Sequence, residues 1–175
     1  GVTLMYKKGY FVQRISEDGN QTEEEARWTP EDFMELLPNE VAVEIEGRQV
    51  VVRPWLYRLS GITGQVNTIL FLDTDFESNS EFDRSLTHYL YGGDHRYRLA
   101  QEIVLGIGGM RILKALGCSE IQKYHMNEGH STLLTLELYQ EFAKSRKPEA
   151  EVRRRCVFTT HTPIPAGHDQ FGKDA

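Results

Sequence analysis

Apolar and polar residues alternate from the first positions. Gly1 to Ile15 (GVTLMYKKGYFVQRI) alternates around a glycine break, which predicts a hairpin turning at Lys7-Lys8-Gly9. Ser16 to Trp28 is polar and turn-rich. Thr29-Pro30-Glu31-Asp32 sets a capping hydroxyl, a first-turn proline and two acids in order, predicting a short helix that Pro38 must end. Val41 to Ile45 and Arg48 to Val52 are rich in β-branched residues and flank Glu46-Gly47, the pattern of a two-residue hairpin. Gln65 to Leu72 predicts a further strand, and Glu77 to Thr87 a polar loop.

The second half changes period. From Asp94 to Leu116 apolar residues recur at three- and four-residue steps (Leu99, Ile103, Ile107 or Gly106, Met110, Leu113), predicting a helix that Gly117 stops. Ser119 to Lys123 reads as a buried strand leading into the loop Tyr124 to Ser131, and a helix follows to Lys144 on the stripe Leu133, Leu134, Leu136, Leu138 and Phe142. Cys156 to Thr160 reads as a second strand, leading into His161 to His168. Helix, strand, helix, strand predicts parallel βαβ connections and a doubly wound sheet with helices on both faces. The expected fold class is therefore α/β and Rossmann-like, with the hairpin-rich first half as an excursion.

Four of the six histidines, His125, His130, His161 and His168, fall in the two loops after those strands. In α/β sheets the carboxyl ends of neighbouring strands are where ligands are held. Two chemistries fit. Imidazole and carboxylate make metal sites, but His125 and His130 lack the four-residue helical spacing of a zinc pair. Asn127, Glu128 and His130 also supply mixed donors and acceptors, as sugar hydroxyls require, with Gly129 allowing close backbone approach. Pro163 and Pro165 stiffen the backbone that carries His161. Asp94 has two readings, a cap for the long helix and a ligand contact. Arg98 and Glu102, four apart on that helix, read as a pair. Gly106-Ile107-Gly108-Gly109 is not a dinucleotide loop: the fingerprint's third glycine is Arg111, and the glycines lie inside a helical period, where close packing explains them.

Bulk properties narrow the class. A net charge of −6 argues against a nucleic-acid surface, which needs a concentrated basic footprint. The two cysteines, Cys118 and Cys156, have neither metal nor redox spacing, a pattern that fits a reducing, cytoplasmic compartment. No apolar run reaches membrane-spanning length. With 175 residues the chain can build one core. Its start at a strand and its stop inside the second histidine loop predict a piece of something larger.

Three stretches carry a resemblance: LYGGDHRYRLAQEIVLGIGG (Leu90 to Gly109), YHMNEGHSTLLTLEL (Tyr124 to Leu138) and CVFTTHTPIPAGHDQF (Cys156 to Phe171). With the opening LMYKKGYFVQRISEDGNQ, they resemble the α-glucan phosphorylases, the shorter bacterial and archaeal glycogen or maltodextrin type. The resemblance covers nearly the whole chain.

That resemblance implies part of the N-terminal domain of a GT-B glycosyltransferase, with residues 1–175 an internal fragment. The parent enzyme would cleave terminal α-1,4 linkages of a glucan with inorganic phosphate, releasing α-glucose 1-phosphate with retention. It implies pyridoxal phosphate on a lysine of a C-terminal domain absent here, so that no cofactor-binding residue and no metal is expected in this chain. His161 would match the family histidine whose backbone carbonyl lies against the glucosyl unit. Asn127, Glu128 and His130 would fall on the loop beside the glucose site, with Glu128 and Gly129 departing from the longer enzymes. Asp94 would fall near the loop that gates the cleft. The fragment alone is expected to be inactive. The partners implied are α-1,4-glucan or maltodextrin and phosphate, with no nucleic acid or membrane and with homo-oligomers of the full enzyme. Rival readings are a GT-B glycogen or starch synthase using a sugar nucleotide, a non-catalytic glucan-binding module, and a metal hydrolase built on the four histidines.

Overall fold

The computed structural model describes residues 1–9, 11–90, 93–164 and 169–172. Along the first half run β1 (Val2–Leu4), β2 (Val12–Ile15), β3 (Gln21–Glu24), a 3-10 turn (Pro30–Asp32), β4 (Glu35–Leu36), β5 (Val41–Ile45), β6 (Arg48–Ser60) and β7 (Val66–Asp73). The main sheet has five strands in the order β1-β7-β6-β4, with β5 pairing on β6. β6 pairs antiparallel with β4, β5 and β7, and β1 alone is parallel to its neighbour, β7.

The β5–β6 hairpin has the expected register, Ile45 opposite Arg48. Its turn residues, Glu46 at φ 50° and Gly47 at φ 76°, take the left-handed pair of angles that matches strand twist. The expected hairpin at Lys7–Gly9 is replaced by something else. The chain does turn there, with the Gly9 N–H on the Tyr6 carbonyl at 2.7 Å, but Lys7 and Lys8 then donate to Thr87 and His88. β1 stays in parallel with β7 because Leu4 must bury against the core, while the hairpin forms later, between exposed β2 and β3. Glu77 to Thr87 likewise is not all loop. It holds a short helix, α1 (Glu81–Ser85), capped by the Ser80 hydroxyl and tied to the β5–β6 turn by the two-pronged Arg48–Asp83 pair.

The long helix forms as expected, in three parts: α2 (His95–Ile103), a π-helical stretch (Val104–Gly108) and α3 (Gly109–Ala115). Asp94 caps it by accepting the Tyr97 N–H at 2.9 Å. Gly117, at φ 77°, ends it, and two bonds close the last turn: Cys118 N–H to Leu113 and Gly117 N–H to Lys114. Met110 of the expected stripe is buried, but elsewhere the buried positions stand one residue away from the expected ones. Ala100, Val104 and Ile112 are buried against Leu4, Val43, Val52 and Leu72 of the sheet, with Leu99, Ile103 and Ile107 only half-buried. The π turn explains how both faces are used. Gly108 and Gly109 lie against Val43, Val52, Val2 and Leu72, while Gly106 touches the backbone of Leu134 on the other side.

Beyond the helix come β8 (Tyr124–Asn127), a 3-10 turn (Gly129–Ser131), α4 (Leu134–Glu141), α5 (Pro148–Arg155) and β9 (Cys156–Thr159). The predicted strand at Ser119–Lys123 is irregular and mostly exposed; it offers one apolar residue, Ile121. The strand begins instead with the histidine motif, where Met126 is buried and Tyr124 half-buried while His125 and Asn127 face outward. β8 and β9 are parallel, as the helix–strand alternation predicted. They form a sheet of their own, however, so the expected single parallel sheet is corrected to α/β with mixed sheets. A second core of Met110, Met126, Leu134 and Leu138 joins this pair to the long helix. Among the described residues no helix is long and apolar enough to cross a membrane.

Candidate functional site at the carboxyl ends of the parallel strands

The two histidine loops meet because β8 and β9 run in parallel, with Asn127 opposite Thr159. Glu128, the next residue, has φ 62° and ψ −170°, a backbone region kept almost wholly for glycine. Its N–H still donates to the Thr159 carbonyl at 2.8 Å, and its side chain turns onto the second loop. There its carboxylate accepts the backbone N–H of His161 and that of Thr162, the latter at 2.8 Å, and the Thr160 hydroxyl donates to it at 3.2 Å. The His161 N–H does most to hold the Glu128 carboxyl below the ordinary carboxylate range, against the opposing effect of burial, and Thr162 and Thr160 add to it. His161 is held again through its ring, with Nε2 2.6 Å from Asn127 Oδ1.

A cavity of about 300 Å³ opens beside this knot. Asn127, Glu128 and His130 form one wall, and Arg98, Gln101 and Glu102 of α2 form the facing one, with Leu4 and Leu105 below. Its size suits one small polar ring. The α2 residues share a helix face through three- and four-residue spacing. Arg98 does not pair with Glu102 as expected; its guanidinium bonds Asp169 at 2.8 Å and His130 Nδ1 at 3.2 Å. Gln101 donates to the carbonyls of Leu86 at 2.9 Å and Tyr89 at 3.1 Å, fixing the rim. Burial is the largest single influence on the Asp169 carboxyl and raises it, but the Arg98 bond and charge, with His130 and Glu102, together outweigh burial and the net shift is downward.

Of the residues singled out in the sequence, Asn127, Glu128 and His130 line the cavity, and His161 abuts it through Asn127 and Glu128. Asp94 stands apart, at the exposed start of α2, with its carboxylate engaged in capping. Arg98, Gln101, Glu102 and Asp169 were not singled out as site residues. Their signal was faint: Arg98, Gln101 and Glu102 recur at three- and four-residue steps in a largely polar stretch, and the structure then shows Glu102 to be only 6% exposed.

The three described histidines of the four do not converge on one point. His125 Nε2 bonds Thr159 Oγ1 at 2.6 Å, His161 bonds Asn127, and His130 faces Arg98. His168 and Pro165 lie outside the described residues. One set, Glu102, His130 and Asp169, has ligand atoms within 4.8 Å of one another, but the Arg98 cation is already bonded to two of its members.

Mixed polar groups lie beyond the carboxyl ends of two parallel strands, the position at which α/β sheets hold their ligands. Sequence comparison then gives the relatives. The chain is 39% identical over 181 residues to maltodextrin phosphorylase of Thermococcus litoralis, an alignment covering 97% of this chain and 21% of that protein. It is 36% identical to glycogen phosphorylase of Mycobacterium tuberculosis (97% and 21%) and 33% identical to that of Aquifex aeolicus (94% and 24%). No family model matches. The chain is therefore related, over nearly its whole length, to the maltodextrin and glycogen phosphorylases, and it spans about a fifth to a quarter of the length of these relatives.

Proposed function

We propose that this chain is part of the N-terminal, Rossmann-like GT-B domain of an α-glucan phosphorylase, and that the cavity beside Asn127, Glu128 and His130 receives the terminal glucosyl unit. The reaction is phosphorolysis of an α-1,4-glucan end to α-glucose 1-phosphate with retention. The observation that carries the reading is the double anchoring of His161, by Glu128 through its backbone and by Asn127 through its ring. A residue whose carbonyl must face a developing positive charge needs a fixed peptide plane, and preorganised dipoles stabilise such charge better than mobile ones. Asn127 and His130 supply hydroxyl partners, and Asp94, at the helix start, contributes to the approach. Homo-oligomers and a cytoplasmic setting accompany this reading.

Pyridoxal phosphate does not fit this cavity. Its described lining holds no lysine, so the cofactor's aldehyde would meet no amine there. On this reading the cofactor is held by another part of the polypeptide.

The test uses a protein carrying this chain within a polypeptide of the relatives' length. Incubated with maltodextrin and inorganic phosphate, it should release glucose 1-phosphate, and the 175-residue chain alone should release none. Glucosyl transfer from a nucleotide-glucose donor without phosphorolysis would replace this reading with a synthase. Glucan binding without either activity would replace it with a binding module.

A further inference from the structure

Apart from the cavity at the candidate site, a wider groove of about 700 Å³ runs beside the 3-10 turn at Pro30–Asp32. Its walls come from the turn after β1, from the stretch between β3 and the 3-10 turn, and from Asp75 and His88. It shares no lining residue with the cavity. The N–H groups of Lys7 and Lys8 bond the carbonyls of Thr87 and His88, and these joined segments divide the two spaces. Tyr6 and Leu90 line the cavity, while Lys7 and His88 line the groove.

The lining limits what the groove can hold. Its charges cancel, with Lys7, Lys8 and Arg27 set against Glu25, Asp32 and Asp75. Lys7 is bonded to Asp75 at 3.0 Å, and Lys8 lies 4.0 Å from Glu25 and over the Tyr89 ring, so neither lysine is free for an anion. The apolar surface is confined to Ala26 and two rings, half-buried Trp28 and 64% exposed Phe33. That is too little for the apolar centre of a protein interface. Beside the rings stand polar groups with no protein partner among the described residues: the Trp28 indole N–H, the Arg27 guanidinium and the Thr29 hydroxyl. Aromatic faces next to unengaged polar groups, without net charge, suit a pyranose. Its C–H face rests on the electron-rich face of a ring while its hydroxyls bond at the edge.

The two rings also select a linkage. Their centroids lie 6.3 Å apart and their planes are inclined by 56°. A β-1,4 chain is a flat ribbon that lies best on coplanar rings, whereas an α-1,4 chain turns at each bond and presents successive faces at an angle. We infer that the groove binds a neutral, α-1,4-linked oligosaccharide across Trp28 and Phe33, at a site separate from the candidate one. Its volume is more than twice that of the cavity suited to one ring, which leaves room for at least two linked units. The linkage follows from the ring angle and the binding needs no phosphate, so the inference stands whether or not the chain takes part in phosphorolysis.

Tryptophan emission reads the groove directly. Trp55 is 5% exposed and gives its N–H to Asp73, so a change on adding sugar reports Trp28. Maltotetraose added to the 175-residue chain should move the emission to shorter wavelength and saturate in the millimolar range. Cellotetraose should bind at least about tenfold more weakly. Inorganic phosphate should leave the emission unchanged. Phe33→Ala, at an exposed position, should melt with the wild type and weaken maltotetraose binding at least about fivefold. His130→Ala alters only the cavity and should leave the titration as it is. No saturable shift, equal binding of cellotetraose, a response to phosphate, or unchanged affinity in Phe33→Ala overturns the inference. Loss of the shift in His130→Ala would place the sugar in the cavity and overturn it as well. Release of glucose 1-phosphate by a protein of the relatives' length is a separate measurement, so either reading can fail alone.

Discussion

The Glu128 carboxylate accepts the backbone N–H of Thr162 at 2.8 Å and, alongside it, that of His161. A strand-end residue on one loop thereby orients two consecutive peptide planes on the other. Glutamine at this position keeps the length but turns half of the acceptor into a donor facing N–H groups. Glu128→Gln should therefore loosen residues 160–162, seen as exchange of the His161 and Thr162 amides about tenfold faster. Glu128→Gly relieves the positive φ but removes the acceptor, so it should loosen the same amides. Unchanged exchange in both variants would show that the carboxylate does not hold the loop.

Acid should act through the same kind of group. Burial alone would raise the Asp75 carboxyl, but the bonds from Arg84 and Lys7, with a smaller contribution from the His88 ring, hold it at about 2. Glu128 is also held low, by His161 first. A carboxyl depressed in the folded state binds fewer protons there than in the unfolded chain. Its stabilisation is thus complete above the ordinary carboxylate range and is lost as pH falls through the folded value. The thermal midpoint should be flat from neutral pH down to about 5 and decline from about 4.5 towards 2. Asp75→Asn should have a lower midpoint at neutral pH and a shallower decline.

Much of this was legible in the chain. The β5–β6 turn, the long helix with its Asp94 cap and Gly117 stop, and the parallel β8–β9 pair all follow from local patterns. The misread segments are those where tertiary partners decide. Lys7–Gly9 turns towards residues 87–90 and not back on itself, and Ser119–Lys123 lost the strand to Tyr124–Asn127 once Met126 found a buried place. The site was half legible. The loop residues announced themselves by composition, whereas Arg98 and Glu102 looked like an ordinary helix pair until His130 and Asp169 were brought beside them. The role of Glu128 lies in a backbone angle, which no residue pattern reports.

The glycines of the π turn give a stability prediction. A Cβ on Gly106 would stand 2.8 Å from the Leu134 nitrogen and 2.9 Å from Leu133 Cβ, and the backbone atom cannot step aside. Gly106→Ala should cost about 1–3 kcal/mol, the usual cost of overpacking. Gly129→Ala, on the candidate-site loop, meets nothing within 4 Å and should change stability by less than about 0.5 kcal/mol. Urea midpoints of the two variants, compared at equal slope, check the contrast. Equal loss in both would place the importance of Gly106 in its backbone freedom and not in contact with α4.

Arg98 stands where a metal ion would. Glu102, His130 and Asp169 present ligand atoms within 4.8 Å of one another, and the guanidinium bonds Asp169 and the His130 ring. A fixed cation there pairs with Asp169 and repels a second one, so zinc should leave the thermal midpoint of the wild-type chain unchanged. Arg98→Met keeps much of the stem and removes the charge, leaving two carboxylates and an imidazole facing one another. That arrangement has the ligand types of a zinc site. The variant should unfold at a lower temperature than wild type and recover part of the loss on addition of zinc. His130→Ala added to Arg98→Met should abolish the recovery, since only two carboxylates remain. Stoichiometric zinc in the purified wild-type protein would instead mean that Arg98 moves aside, returning the metal reading of this loop to first place.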